Sequence, residues 1–283
     1  MYLLIQPTDS LDTGARQRLQ ERIQERLQQH AVETDIQQTQ STYIIESPEE
    51  RTAILASALT RTPGIQTVTP CIRTGIGPDQ ISNGIEQVLS DEPIRDITIE
   101  PPDSKLEGQL KDRLEIVGNG EHVHIRILDH AFLSTRQLDG IGGTPIDRSK
   151  ITVTPLRDRL DVYAGYLLMQ QGHSITPVHI DSSTDRVQEG LETLQAYDPA
   201  AKLTVIDADT WENGIEQAVS SFGAEYVCLG DLPSDTRETD LDIDVPVKRP
   251  LPDLSEDEAL ERYWQITVPT ASLTEERSSA DNS

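Results

Sequence analysis

Residues 140–172 read GIGGTPIDRSKITVTPLRDRLDVYAGYLLMQQG, and the fold is decided by how this stretch is punctuated. Gly140-Ile141-Gly142-Gly143-Thr144-Pro145 reads as a loop at a domain junction. Ile151–Pro155 (ITVTP) has the β-branched content of a strand, and a helix is predicted over 160–171. The same rhythm repeats downstream. Strands are predicted at 174–180 (SITPVHI), 202–207 (KLTVID) and 225–229 (EYVCL), and helices at 184–197 and 211–221. Single strands alternating with helices predict a parallel sheet with crossover helices. Residues 231–246 are acidic and turn-rich, hence a loop. Ser255 and Glu258 form a capping box that opens a helix to about residue 264. The last residues, 269–283, lack periodicity and read as a disordered tail.

Upstream of the junction the pattern changes. Strands are predicted at 2–6, 31–38, 42–46 and 65–73, with helices at 13–29 and from Ser47 to about Thr60. Leu19, Ile23 and Leu27 mark the buried stripe of the first helix. Ser47, Pro48 and Glu50 read as the N-cap, N1 and capping-box partner of the second, with Ile54, Leu55, Ala58 and Leu59 on its apolar face. The order βαββαβ is the ferredoxin-like arrangement. Residues 79–90 and 104–114 read as helices. Residues 96–100 (DITIE) and 121–128 (EHVHIRIL) read as strands, the latter pairing with 131–138 as a hairpin.

Composition bounds what such a molecule does. The 283 residues suggest about two domains, with room for a small third. There are 49 acidic and 24 basic residues, a net charge of −25. Only five of the basic residues are lysine. Acid excess with scarce lysine resembles the salt-adapted cytoplasmic proteins of haloarchaea; an acidic mesophilic protein is the alternative. Residues 1–75 carry net −2 (seven Arg, nine acids) and the rest net −23 (17 basic, 40 acidic). An RNA-facing surface is therefore expected toward the N-terminus, because phosphate contacts need local positive charge. No run approaches the roughly 18 apolar residues of a membrane span, and no signal peptide is visible, so a soluble cytoplasmic chain is expected. Two cysteines, Cys71 and Cys228, cannot make a disulfide framework or a multi-cysteine metal site.

The order of motifs resembles the tRNA 4-thiouridine synthase (tRNA sulfurtransferase, ThiI) family over about residues 1–265. That family joins a ferredoxin-like domain, a THUMP domain and a PP-loop ATP-pyrophosphatase domain. Gly140, Gly142, Gly143 and Pro145 match its junction, and Ile151–Pro155 its PP-loop strand. Ala164, Tyr166, Leu167, Met169 and Gly172 match the helix that follows. Val227-Cys228-Leu229-Gly230-Asp231 falls on its strand and G-[DE]-S. Val247-Lys248-Arg249-Pro250-Leu251 falls on its L-R-P-L. Thr13-Gly14-Ala15-Arg16 and Pro63-Gly64-Ile65 match motifs of its first domain. The resemblance implies an α/β fold with a ferredoxin-like domain (1–75), a reduced THUMP-like domain (76–146) and a parallel-sheet, adenine nucleotide alpha hydrolase-like PP-loop domain (147–268). It also implies tRNA as partner.

One element departs from that pattern. The family's S-G-G-x-D-S falls on Leu156-Arg157-Asp158-Arg159-Leu160-Asp161. A PP-loop works because glycines let backbone N–H groups close around phosphate at a helix N-terminus. Here both glycine positions carry side chains, the polar groups at 156 and 160 are gone, and Asp158 and Asp161 bring negative charge. Two unit charges about 4 Å apart repel by roughly 4 kcal/mol at an effective dielectric of ~20. Arg157 and Arg159 offset part of this. ATP binding is thus disfavoured and no catalytic residue is expected. The family's sulfur chemistry uses a cysteine late in the PP-loop domain, and no cysteine follows Cys228. Cys228 and Cys71 are expected in the core.

His122 and His124 share a strand face as an H-x-H pair. With no converging third ligand they read as a solvated or RNA-facing strand, and no metal is expected. His179 and the Ser183 that would cap the next helix lie at a strand's carboxyl end, where α/β ligands bind. Arg16, Arg18, Arg22 and Arg26 run along the first helix and are the RNA-binding candidates; interleaved Glu21 and Glu25 allow an ordinary solvated helix instead. The expected function is a tRNA-binding, THUMP-type protein that has lost catalysis. The alternatives are an active tRNA sulfurtransferase using a partner's cysteine, or a protein scaffold within the tRNA-thiolation pathway.

Overall fold

Leu3 and Ile5 project from one face of the first strand, β1 (Tyr2–Pro7), and the N-terminal elements assemble against them. The computed structural model describes residues 1–9, 11–39, 41–89, 92–180, 185–232, 243–251 and 254–267. The tail at 269–283, most of the acidic loop and the Ser183 cap fall outside these. The chain divides into two compact units, Met1–Gly142 and Gly143–Ser283. Among the described residues no helix is long and apolar enough to cross a membrane.

In the first unit β1 is followed by α1 (Thr13–Gln29), β2 (Ile36–Gln38), β3 (Tyr43–Glu46), α2 (Glu49–Thr60) and β4 (Ile65–Thr74). The strands lie in the order β2-β3-β1-β4, all antiparallel, as βαββαβ predicts. Asp12 caps α1 by accepting the Ala15 N–H at 2.7 Å. Leu19, Ile23 and Leu27 then meet Leu3, Ile5, Ile45, Leu55 and Leu59 in a closed core. Each such side chain contributes about 1.5–3 kcal/mol when fully buried.

Two expectations about α2 fail. Ser47 does not cap it: its Oγ donates to the Pro48 carbonyl at 3.2 Å and accepts from Thr52 Oγ1 at 3.3 Å, and its N–H, which a capping box would offer to Glu50, donates to the Met1 carbonyl at 3.0 Å. Pro48 takes the cap position with no side-chain hydrogen bond. Ile54 lies on the outer face, 58% exposed, while Thr52, Leu55, Ala56 and Leu59 form the buried stripe.

β4 does not stop where the ferredoxin-like core ends. The chain goes on through α3 (Pro78–Leu89), β5 (Ile94–Glu100), α4 (Ser104–Lys111), β6 (Glu121–Ile127) and β7 (Ala131–Ser134). Ile72–Thr74 of β4 pair with β7, so one sheet runs β2-β3-β1-β4-β7-β6-β5. Ile81, Ile85, Val123, Ile125 and Leu133 form a second core beneath α3 and α4. The strand predicted at 131–138 is two pieces: β7, then β8 (Leu138–Gly142), which returns along β4. Gly140 and Gly142 therefore belong to a strand and not to a loop. A Cβ at Gly140 would lie 2.3 Å from the Ile65 carbonyl oxygen, so glycine is what lets β8 approach β4.

The second unit is wound as β9 (Thr144–Pro155), α5 (Arg159–Gln170), β10 (Gln171–Ile180), α6 (Asp185–Tyr197), β11 (Thr204–Ile206), α7 (Trp211–Phe222), β12 (Tyr226–Cys228), β13 (Val247–Lys248) and α8 (Glu256–Thr267). Its strands run parallel in the order β11-β10-β9-β12-β13. Val153, Val178 and Val227 pack with Ile215 and Ala218 of α7. On the opposite face α5 approaches through Gly165, which faces Thr154 and Ile175. Ser255 and Glu258 cap α8 reciprocally, the Ser255 N–H donating to Glu258 Oε2 at 2.9 Å and the Glu258 N–H to Ser255 Oγ at 3.4 Å. The fold is α/β with an antiparallel-rich first unit and a doubly wound parallel second unit, as expected.

Candidate functional site

The strand order of the second sheet reverses between β9 and β12, and ligands of open α/β sheets bind outside the carboxyl ends of the strands at such a switch point. The turn after β9 and the loop after β12 meet there. Leu156 ends the ladder by donating its N–H to the Val178 carbonyl at 2.9 Å, and its side chain is buried. Asp158 is extended and caps α5; its Oδ1 accepts the Leu160 N–H at 2.9 Å and the Asp161 N–H at 3.2 Å. Asp161 points back into the turn and is wholly buried. It accepts four N–H groups: Arg157 N at 3.0 Å, Arg157 Nε at 2.8 Å, Arg157 Nη2 at 2.7 Å and Gly230 N at 2.8 Å.

Arg157 carries the arrangement across. Its Nη2 also donates to Asp231 Oδ1 at 2.9 Å, and Arg249 Nε lies 3.5 Å from Asp231 Oδ2. The guanidinium stands over the Trp211 ring at 5.1 Å. Gly230 makes this closure possible, since a Cβ there would fall 2.3 Å from the Leu160 carbonyl carbon. Burial works against charge on Arg157, but the two carboxylates outweigh it and its pKa is raised. Burial also drives the Asp161 carboxyl upward, against the Arg157 fork and the Gly230 amide. With four N–H donors on two oxygens, the ionised carboxylate is the form that satisfies them.

The turn therefore has the shape of an anion cradle with the molecule's own carboxylates in it. Backbone donors at 157, 160 and 161 are already bonded to Asp158 or Asp161. These residues do not fit a triphosphate. Leu160 packs inward. Arg159 faces away from the turn, over the Trp264 ring at 4.4 Å and 3.8 Å from Glu189.

The other candidate residues are dispersed. Arg22 and Arg26 are only 8% and 5% exposed, so the four-residue spacing turns them into the first unit and not along an outer face. Arg22 pairs with Glu25 at 2.7 Å, and Arg26 Nε donates to Thr62 Oγ1 at 3.2 Å. Arg16 and Arg18 are half-buried, and Arg16 Nε donates to the Leu11 carbonyl at 3.2 Å. His122 Nδ1 lies 2.5 Å from Asp96 Oδ1, and His124 Nε2 lies 3.8 Å from Glu100. Among the described residues no group of three or more His, Cys, Asp or Glu is placed to hold a metal. Cys71 and Cys228 are buried, and burial pushes the Cys71 thiol up to about 12 and the Cys228 thiol higher still.

Sequence reading singled out 156–161 and Gly230-Asp231, but not that one arginine would join them. Only the alternation of unlike charges at 157, 158, 159 and 161 hinted at internal pairing. Trp211 left no signal, since nothing in its neighbourhood shows that α7 starts beneath Arg157.

No protein-family profile matches the sequence, and no curated protein matches it. Solved structures do resemble it. The crystal structure of PH1313 from Pyrococcus horikoshii superposes with a TM-score of 0.76 at 19% identity, covering 94% of this chain and 99% of that one. A 4-thiouridine synthetase solved as an RNA complex with bound ATP superposes with a TM-score of 0.72 at 16% identity, covering 94% of this chain and 84% of that one. At these identities the likeness is one of fold, and it spans both units of the chain.

Proposed function

We propose that the chain is a tRNA-binding protein on the 4-thiouridine synthase plan that neither binds ATP at its PP-loop position nor adenylates RNA. The fold likeness to an RNA-bound 4-thiouridine synthetase supports the RNA partner. The observation that carries the loss of catalysis is the occupied turn: Asp158 and Asp161 hold the donors that a phosphate would need. Without glycines at 157 and 158 the backbone cannot close on a ligand, and a carboxylate at each end of the turn repels one. The two buried thiols supply no reactive thiolate, which removes the sulfur step as well.

Titrating the full chain with a tRNA transcript is expected to give saturable binding at micromolar concentration or tighter. Pyrophosphate exchange with ATP and the same tRNA is expected to stay at background. No binding at tens of micromolar would remove the RNA assignment; exchange above background would remove the loss of catalysis.

A further inference from the structure

We infer that Arg157 is a positioning residue that ties the sheet together across its switch point, giving internally the cohesion that a bound ligand gives an open α/β sheet. The inference is independent of the RNA partner. β9 and β12 are joined by a short ladder, Tyr226 opposite Thr152 and Val227 opposite Val153. Beyond it β9 runs on to Pro155 beside β10, and the β9–α5 turn is linked to the loop after β12 by the Arg157 and Asp161 contacts described above.

Arg157 leaves the β9 turn, engages Asp161 in the first turn of α5 with two guanidinium N–H groups, and reaches Asp231 after β12 with Nη2. Asp161 reciprocates by taking the Gly230 N–H. Arg249, directly after β13, faces the second oxygen of Asp231. The β9–α5 turn and the loop after β12 thus meet on one guanidinium, and the segment after β13 reaches the same Asp231 through Arg249. A planar fork with five donors in fixed directions does this, whereas a lysine, with three donors on one compact nitrogen, cannot grip one carboxylate side-on and reach a second at the same time. The participating charges are Asp158, Asp161 and Asp231 against Arg157 and Arg249. The balance is one negative charge, which leaves no unopposed cation for an anionic ligand.

Both tryptophans, Trp211 and Trp264, lie in the second unit, so fluorescence excited at the red edge, where tyrosine does not absorb, reads that unit alone. The test is a double-mutant cycle of Arg157→Lys and Asp231→Asn, followed by fluorescence-monitored thermal unfolding and by amide exchange. Each single variant is expected to lower the midpoint by about 5 °C, and the double variant to fall no further than Arg157→Lys alone. In Asp231→Asn the amides of Arg157 and Gly230 are expected to exchange at least about tenfold faster while those of Val153 and Val178 keep their rates. Millimolar pyrophosphate or Mg-ATP is expected to leave the wild-type midpoint unmoved. Additive losses in the cycle, a uniform acceleration of exchange, no acceleration at all, or a rise of the wild-type midpoint with pyrophosphate would each overturn the tie. The exchange readout on Asp231→Asn stands even if Arg157→Lys does not fold.

Discussion

His173 is 5% exposed on β10, with its Nδ1 2.9 Å from Thr152 Oγ1 and its Nε2 3.4 Å from Lys248 Nζ. Its ring meets Tyr226 edge-on at 5.2 Å. Burial first, then the charges of Lys248 and Lys150, push its pKa down to about 4. An unfolded histidine takes its proton near pH 6.5. Above that pH both states are neutral and His173 adds no pH dependence. As pH falls from about 6.5 toward 4 the unfolded chain gains a proton that the folded chain refuses, so stability is lost across that window and the loss levels off below it. The expected size is about 1–2 kcal/mol once solvent screening is allowed for. Urea unfolding of wild type and His173→Gln between pH 7 and 4 measures it; parallel curves for the two proteins would contradict it.

Elements differ in how openly the sequence declared them. The four-residue spacing of Leu19, Ile23 and Leu27 located α1 because those side chains face the sheet directly. α2 was harder. Ile54 and Leu55 are both apolar and adjacent, and only the face that the helix turns toward β1 and β4 decides which is covered. Leu55→Ala is expected to cost about 2–5 kcal/mol and Ile54→Ser to stay within about 0.5 kcal/mol of wild type, as read from urea midpoints. Equal losses would mean that Ile54 is covered in solution. The Ser47 cap failed for a related reason: a local motif yields when its backbone N–H is already committed to a neighbouring strand. Gly140 and Gly142 look like turn signals in the sequence, and their real use, close passage along β4, depends on a strand more than 60 positions earlier in the chain. At the candidate site the residue types were legible but their wiring was not, since Asp161 and Gly230 stand 69 positions apart.

Across the whole molecule, a net charge of −25 constrains the proposed hold on tRNA. Most arginines of the first unit are spent on their own chain. Among the described residues the side chains of Arg61, Arg73 and Arg136 make no ion pair or hydrogen bond, and Arg73 lies over the Tyr2 ring at 4.6 Å. With so few cations to offer, log affinity for tRNA is expected to fall only gently with log salt, with a slope of about −2 to −3 and not the steep values of strongly basic binders. Arg73→Ala is expected to flatten it by about 0.7 to 0.9. Fluorescence titrations between 0.1 and 1 M potassium chloride measure both, and a slope steeper than about −5 would show that more cations engage phosphate than the ion pairing allows.

The ten residues of β4 give this architecture its grain. Their first part is clasped between β1 and β8, and their last three lie against β7, so a single strand is stitched into both halves of residues 1–142. Severing the chain just past Gly75 would strip that strand of its outer neighbours on one side and leave a raw, adhesive edge. Proteolysis or gene dissection is thus expected to release Met1–Gly142 as one indivisible piece, whatever ancestry its two halves had.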